Sequence, residues 1–196
     1  MTIDDRYAVI AAGFAGDVTT ATSGLSHSEG SVRASAIRAL ARMDALSITA
    51  LEAGLIDSDA EVRRTAAELC ATFSSVQCHH LLDDADVFVA EMTAWALGER
   101  SPISDTEMIA LIDRTTSHSE AVVREACAAA LGSIGDIRGL PAILAACSDK
   151  PAVRRRAILA LAPFEGDEVD AALTSALTDK DWQVRQNAED LLNPRG

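Results

Sequence analysis

The chain has 196 residues, of which 48% are hydrophobic and 24% are charged, a balance that excludes an intrinsically disordered chain. It carries 17 Lys and Arg against 30 Asp and Glu, so its net charge of −13 disfavours binding to the phosphate backbone of nucleic acids. Only 4% of the residues are aromatic, and this composition, filled out by Ala and Leu, favours closely packed helices over a β-sandwich.

The first predicted element is a helix at about residues 4–15. Its apolar stretch YAVIAAGFAG follows Asp4 and Asp5 instead of basic residues, which argues against a signal peptide. No apolar run approaches the length that crosses a membrane. We therefore expect a cytoplasmic protein without a membrane partner. The segment IAAGFAGD from Ile10 parallels AALGSIGD from Ala129, so the helix is interpreted as the second half of a repeat.

A nine-residue pattern, V-R-x-x-A-x-x-A-L, then recurs at intervals of 27 to 34 residues. Its six copies begin at Val32, Val62, Val89, Val123, Val153 and Val184. Positions one, five, eight and nine fall on one face of an α-helix, so each copy predicts an amphipathic helix. An acidic turn and a shorter apolar segment precede most copies. The pattern therefore predicts a series of helix–turn–helix units.

These units predict a single domain of stacked repeats over residues 1–196, because one unit cannot bury its apolar face alone. After the half-repeat at about 4–15, we place repeats at about 16–43, 44–73, 74–100, 101–135, 136–166 and 167–196. Gly-Asp pairs that begin at Gly16, Gly135 and Gly166 predict a helix C-cap followed by an N-cap. In the last copy Glu189 replaces a small or aliphatic residue, which predicts a polar end to the stack.

The Val-Arg opening, the acidic turn and the A-x-x-A-L helix resemble HEAT repeats, in particular the short type named after phycobilisome lyases. The resemblance covers nearly the whole chain and implies an all-α, right-handed α-solenoid whose second helices line the concave side. In this family the repeated arginine commonly reaches acidic residues of the turns. The resemblance thus implies a structural arginine ladder of Arg33, Arg63, Arg124, Arg154 and Arg185. Ala90 interrupts the ladder in the third copy.

HEAT arrays mostly serve as binding scaffolds, so the resemblance implies a non-enzymatic protein that binds a protein partner on its concave face. If the valine face packs inward, positions three, seven and ten point into this groove, and small residues at position ten predict an open floor. Trp95 stands at a position that is charged in three other copies, which is typical of an interface anchor. The alternative is that Trp95 fills space beside Ala90 and Ala94.

The predicted protein-binding site consists of Arg38, Arg64, Glu91, Met92, Trp95, Glu125, Arg155 and Arg156. Trp95 and Met92 are predicted as apolar anchors, and the arginines as the groups that select an acidic or mixed-charge segment. A solvated helix face is the alternative interpretation of Arg155 and Arg156. We expect a monomer or a member of a hetero-complex, with no nucleic acid partner.

No motif predicts a catalytic residue, a metal or a cofactor. The one cluster of metal-ligand residue types, CHHLLDD from Cys78, lacks a spacing that brings four ligands together. His27 and His118 occupy a turn position that is aspartate in three other copies, so they are interpreted as turn-capping residues. Two enzymatic alternatives come from HEAT-like relatives. One is a subunit of a bilin lyase, and the other is a DNA glycosylase, which the charge of −13 disfavours.

Overall fold

A computed structural model describes residues 3–193, which fold into α-helices and two short 3-10 helices without any strand. Residues 1–2 and 194–196 of the predicted domain lie outside this range. The α-helices are α1 (Ile3–Ala15), α2 (Val18–Gly24), α3 (Gly30–Arg42), α4 (Ile48–Leu55), α5 (Ala60–Leu69), α6 (Val87–Gly98), α7 (Asp105–Ser117), α8 (Ala121–Ile134), α9 (Leu140–Ala146), α10 (Pro151–Ala160), α11 (Asp167–Ala176) and α12 (Trp182–Leu192). The predicted all-α class is confirmed.

After α1 the helices follow in pairs, and each pair lies within one of the predicted repeat ranges. The second helices of the pairs are α3, α5, α6, α8, α10 and α12. They stack on one another in chain order, with α1 packed against α3 at one end. The first helices contact one another less, mainly where α7 meets its two neighbours. Closer packing among the second helices is the geometry of a solenoid whose concave side they line.

The third pair departs from the prediction, because its first member is a 3-10 helix of 5 residues, His79–Asp83, instead of an α-helix. The interval between the second and third valines, Val62 and Val89, is the shortest in the chain, and a loop after α5 uses much of it. Leu81 and Leu82 of the 3-10 helix are buried all the same. The apolar contacts of this repeat are therefore kept while its first helix is shortened.

The predicted Gly-Asp junctions adopt the expected backbone at two of three positions. Gly16 and Gly135 have φ values of 78° and 67°, the left-handed conformation that glycine adopts at low cost. The Asp17 carboxylate then accepts a hydrogen bond from the backbone N–H of Thr20 at the start of α2. At the third junction the prediction was wrong, because Gly166 is itself the N-cap of α11.

One continuous core runs along the stack from Val9 to Ala188. The valine that opens each copy of the pattern is at most 2% exposed, as the periodicity predicts. At the far end of the stack, Glu189 is exposed on α12. No helix within residues 3–193 is long and apolar enough to cross a membrane.

The two glycines of position ten, Gly98 and Gly132, have a role that the sequence pattern did not predict. A Cβ added to Gly98 would lie 2.8 Å from the Cα of Ala130, and one added to Gly132 would lie 2.7 Å from the Cα of Ala160. The backbones of α6, α8 and α10 therefore touch where these glycines lie. These two glycines permit close packing of the helices, and Gly98 also lines a pocket beside Trp95.

Candidate functional site

Four of the five ladder arginines each join two consecutive turns of the solenoid. Arg124 donates from Nη1 to the carbonyl oxygens of His118 and Ser119, at 2.7 and 3.0 Å. Its Nε and Nη2 donate to the carboxylate of Asp149 in the next turn, at 2.6 and 2.8 Å. The same bidentate pairing joins Arg33 to Asp57, Arg63 to Asp84 and Arg154 to Asp179. A bidentate pair fixes the guanidinium plane relative to the carboxylate plane, so these arginines hold successive repeats together.

The last arginine of the ladder and the gap in its third repeat are explained by the same geometry. Arg185 lies in the last repeat and donates only to carbonyl oxygens of its own turn. In the third repeat Ala90 replaces the arginine, and His118 stands where the next turn would supply the aspartate. The junction is bridged elsewhere, because Arg114 of α7 donates to both oxygens of Asp83 at 2.6 and 2.8 Å. At this junction the ladder therefore lacks both the arginine donor and the aspartate acceptor.

The side chains of the two turn histidines accept hydrogen bonds from backbone N–H groups. Nδ1 of His27 accepts a hydrogen bond from the N–H of Glu29 at 3.1 Å, and Nδ1 of His118 accepts from Glu120 at 3.0 Å. In other copies an aspartate oxygen does the same, as Asp57 does for the N–H of Asp59 at 2.8 Å. Each histidine therefore serves as a local cap of the turn.

Four ladder aspartates make the stability of the fold depend on pH. The pKa of Asp57, Asp84, Asp149 and Asp179 is lowered, chiefly because each carboxylate accepts hydrogen bonds from its arginine. A carboxyl group with a lowered pKa stabilises the folded state above its unfolded pKa and loses this contribution as the pH falls through the folded value. We expect the free energy of unfolding to fall between about pH 5 and pH 2, measured by urea denaturation with circular dichroism.

Asp149→Asn is the variant that tests this assignment. It keeps the shape of the side chain but removes the charge, so stability at pH 7 should drop by about 1–2 kcal/mol. Its stability should also fall less steeply with acid than that of the wild type. If the wild type and the variant lose stability in parallel below pH 5, the ladder does not carry the dependence.

A pocket of about 310 Å³ opens on the second helices, between α6 and α8 and beside Arg156 of α10. We call it the Trp95 pocket, and it is lined by Glu91, Trp95, Gly98, Glu99, Val122, Glu125, Ala126, Ala129, Ala130, Ser133 and Arg156. The indole of Trp95 is 47% exposed, so it does not fill the core beside Ala90 and Ala94. The lining combines an aromatic wall, small apolar residues and a charged rim.

The charge of this rim is mainly negative. Glu91, Glu99 and Glu125 supply carboxylates, against the single guanidinium of Arg156. Nε of Arg156 lies 3.7 Å from a carboxylate oxygen of Glu125, which is a loose ion pair. Across the part of the chain that the structure describes, neither the Glu91 nor the Glu99 carboxylate has a hydrogen bond or an ion pair. Two carboxylates, one on the helix of Trp95 and one at its C-cap, are thus free to meet a ligand.

The structure brings four of the eight predicted binding residues into this pocket, namely Glu91, Trp95, Glu125 and Arg156. Met92 is on the same helix, but it is partly buried against the core and does not line the pocket. Arg38, far along the stack, lines a separate depression between α1 and α3. Ala34 is position three of the first copy of the pattern and was therefore predicted in the groove, but it is fully buried. Position three therefore does not face the groove in every repeat.

The predicted arginines are largely engaged with carboxylates of neighbouring helices. Arg38 pairs with Glu68 at 3.3 Å, and Nε of Arg155 donates to Asp181 at 2.9 Å. Arg64 is exposed on α5. Paired arginines have little charge left to attract an acidic segment. The expected selection of acidic partners is therefore not supported by the geometry of Arg38 and Arg155.

Sequence reasoning missed Glu99 and Val122, which line the pocket just outside the nine-residue pattern. It also missed a buried ion pair between Arg100 and Glu107, whose side chains are 0% and 2% exposed. Glu107 closes a capping box with Ser104 at the start of α7, and this S-x-x-E signal was visible in the sequence. Nothing in the sequence pattern pointed to Arg100 as its partner.

No group of three His, Cys, Asp or Glu side chains that suits a metal ion occurs between residues 3 and 193. In the CHHLLDD segment, Cys78 is buried while His80 is exposed, so their side chains diverge.

A family model described as HEAT repeats matches residues 76–162 and 108–193. The solved structure of the Escherichia coli protein YibA is similar, with a TM-score of 0.63 and 16% identity, over 95% of this chain and 74% of that chain. A designed armadillo repeat protein has a TM-score of 0.55 and 17% identity, over 88% and 97% of the two chains. An engineered protein has a TM-score of 0.58 and 20% identity, over 90% and 95%. No curated protein matches the sequence significantly.

Proposed function

This chain belongs to the HEAT-repeat family, and on that premise we propose that it is a non-enzymatic scaffold that binds a protein partner on the face formed by its second helices. The Trp95 pocket is the observation that carries the proposal. Tryptophan is among the residues that contribute most to binding at protein interfaces, because it removes a large apolar area from water. A tryptophan left 47% exposed beside a pocket has this area available for a partner.

The charged groups of this face support binding by a preformed surface. Arg38, Arg155 and Arg156 are each paired with a carboxylate of a neighbouring helix. Such pairs connect repeats and hold the surface in one shape. A preformed surface binds with a smaller entropic cost than a mobile one.

Site-specific photo-crosslinking in a lysate of the native source tests the proposed face. One protein carries the photo-reactive residue at Ser133, on the rim of the Trp95 pocket, and a second carries it at Ile109, exposed on α7 in the layer of first helices. We expect a discrete protein to be crosslinked from Ser133 and not from Ile109, because only the former lies beside the partner.

The chain offers a matched control for the aromatic anchor, since Trp182 is 64% exposed but lies at the start of α12 outside the pocket. Trp95→Ala should abolish the Ser133 crosslink, and Trp182→Ala should retain it. Identical products from both crosslinking positions, or a product insensitive to Trp95→Ala, would show that the second helices are not the binding face.

A further inference from the structure

The charge of the Trp95 pocket specifies the partner more closely than the fold does. We propose that the pocket receives an arginine or lysine side chain from a basic segment of the partner protein. This inference rests on the scaffold function proposed above. It is carried by three features of the pocket, which are its unpaired carboxylates, its exposed indole and the position of Arg156.

The carboxylates are placed around the indole by the periodicity of the helix. Glu91 and Trp95 lie at positions i and i+4 of α6, and Glu99, the C-cap of α6 with a right-handed helical backbone, follows at i+8, so the three follow one another along one face. The indole is therefore flanked by a carboxylate one turn before it and another one turn after it. Since neither Glu91 nor Glu99 is paired within residues 3–193, a cation above the indole meets two unused acceptors.

An indole face and carboxylates attract the same kind of ligand. The negative face of the aromatic ring attracts a guanidinium or ammonium group, and tryptophan is the strongest aromatic side chain in this respect. A nearby carboxylate adds a charge-assisted hydrogen bond. The long aliphatic part of arginine or lysine can lie against the apolar wall of Val122 and Ala126. Each part of such a side chain thus has a matching part of the pocket.

Arg156 shows that the opposite rim already accommodates a guanidinium. Its side chain reaches from α10 towards Glu125 and remains 46% exposed. It neutralises one carboxylate of the three, so the edge formed by Glu91 and Glu99 keeps its negative charge. An acidic peptide or a phosphate group would meet this edge at a cost, because like charges repel.

The pocket also has room on one side for residues that flank the cation. A wider depression of about 620 Å³ adjoins it and shares Gly98, Glu99 and Ser133 with its lining. Asp136 also lines this depression, but its carboxylate is paired with Arg138 at 2.7 Å, so the depression adds room and not free charge. The residues that flank the basic side chain can therefore extend past Glu99 into this neighbouring depression.

The two tryptophans of the chain provide a direct readout, because a ¹H–¹⁵N spectrum contains one indole N–H signal from each. The probe is the peptide acetyl-Ser-Gly-Arg-Gly-Ser-amide, with a lysine version and a citrulline version. Citrulline has nearly the shape of arginine but no charge. We expect the arginine and lysine peptides to shift the Trp95 signal saturably, and the Trp182 signal to stay in place.

Variants then separate a specific site from attraction by the overall negative charge. Glu91→Gln/Glu99→Gln should weaken binding of the arginine peptide by about tenfold, since it removes both charge-assisted acceptors. Glu165→Gln/Glu168→Gln changes the net charge equally at two exposed residues outside the pocket lining, and it should leave the affinity within about twofold, since distant exposed charges are screened by salt. The folded state of each variant is checked by circular dichroism.

Several results would overturn the inference. These are an equal shift of the Trp95 signal by the citrulline peptide, parallel shifts of both tryptophans, no shift by any peptide, or equal loss of affinity in the two double variants. The crosslinking experiment distinguishes this failure from failure of the scaffold function. A partner crosslinked from Ser133 that places no arginine or lysine in the pocket overturns the cation preference alone. Saturable cation binding without any crosslinked protein overturns the scaffold function, and with it the partner protein as the source of the cation, but keeps the cation preference of the pocket.

Discussion

Arg100→Met is expected to lower the free energy of unfolding by about 3–5 kcal/mol, because it leaves the buried carboxylate of Glu107 without its counter-charge. The Arg100 side chain is 0% exposed and that of Glu107 is 2% exposed, so water cannot take the place of the missing partner. Arg100 also donates to the carbonyl oxygens of Cys70 and Val76, at 3.0 and 2.8 Å. Its loss therefore loosens the loop after α5 together with the start of α7. Urea denaturation at pH 7 measures the change.

Arg38→Met is the matched control, since it removes a guanidinium of the same kind from a partly exposed pair with Glu68. This change should cost less than about 1 kcal/mol. Arg100→Met/Glu107→Met removes both buried charges and should recover part of the loss. If Arg100→Met is no more destabilising than Arg38→Met, the buried pair does not hold the two segments together.

Gly132→Ala should lower the free energy of unfolding by about 1–3 kcal/mol, because a new Cβ overpacks the contact between α8 and α10. The Cβ would lie 2.7 Å from both the Cα and the Cβ of Ala160. A backbone atom cannot avoid the contact by a change of rotamer, so the two helices must move apart. In an isolated helix the same substitution would stabilise by about 1 kcal/mol, since alanine has the higher helix propensity. The sign of the effect therefore distinguishes helix packing from helix propensity.

Ser133→Ala is the control for this second prediction, because Ser133 is the next residue of α8 and is exposed. It should be neutral or stabilising by a few tenths of a kcal/mol, roughly as helix propensities predict. Both variants are compared with the wild type by thermal and urea denaturation. A Gly132→Ala protein that is as stable as the wild type would mean that α8 and α10 are further apart than the structure places them.

Much of the fold could be predicted from the recurring pattern alone. The period of about 30 residues defines the helix pairs, since each copy has one apolar helical face that must be buried. The valines at position one, such as Val32 and Val153, are all buried as the periodicity requires. Likewise, the left-handed turns at Gly16 and Gly135 follow from the conformational freedom of glycine. These features depend on residues close together in the chain.

The candidate site was predicted only in part. Trp95 was recognised because it differs from its equivalents in the other copies, and Glu91, Glu125 and Arg156 do lie beside it. The predicted preference for acidic or mixed-charge segments stays a prediction, but its premise of unpaired arginines is not met at Arg38 and Arg155. The charge that an arginine presents depends on whether a carboxylate about 30 residues away reaches it, as Glu68 reaches Arg38. Position in a repeat pattern does not reveal such a pairing.

The sequence by itself determined the class of fold, the phase of each second helix and the valine-lined core, because hydrophobic periodicity and turn chemistry act locally. Only the tertiary structure decided that the glycines of position ten bring helix backbones together, that Arg100 is buried with Glu107, and that the Trp95 pocket is acidic. Each of these depends on the distance and rotation between neighbouring repeats. That geometry arises from packing of whole helices, and no single copy of the pattern encodes it.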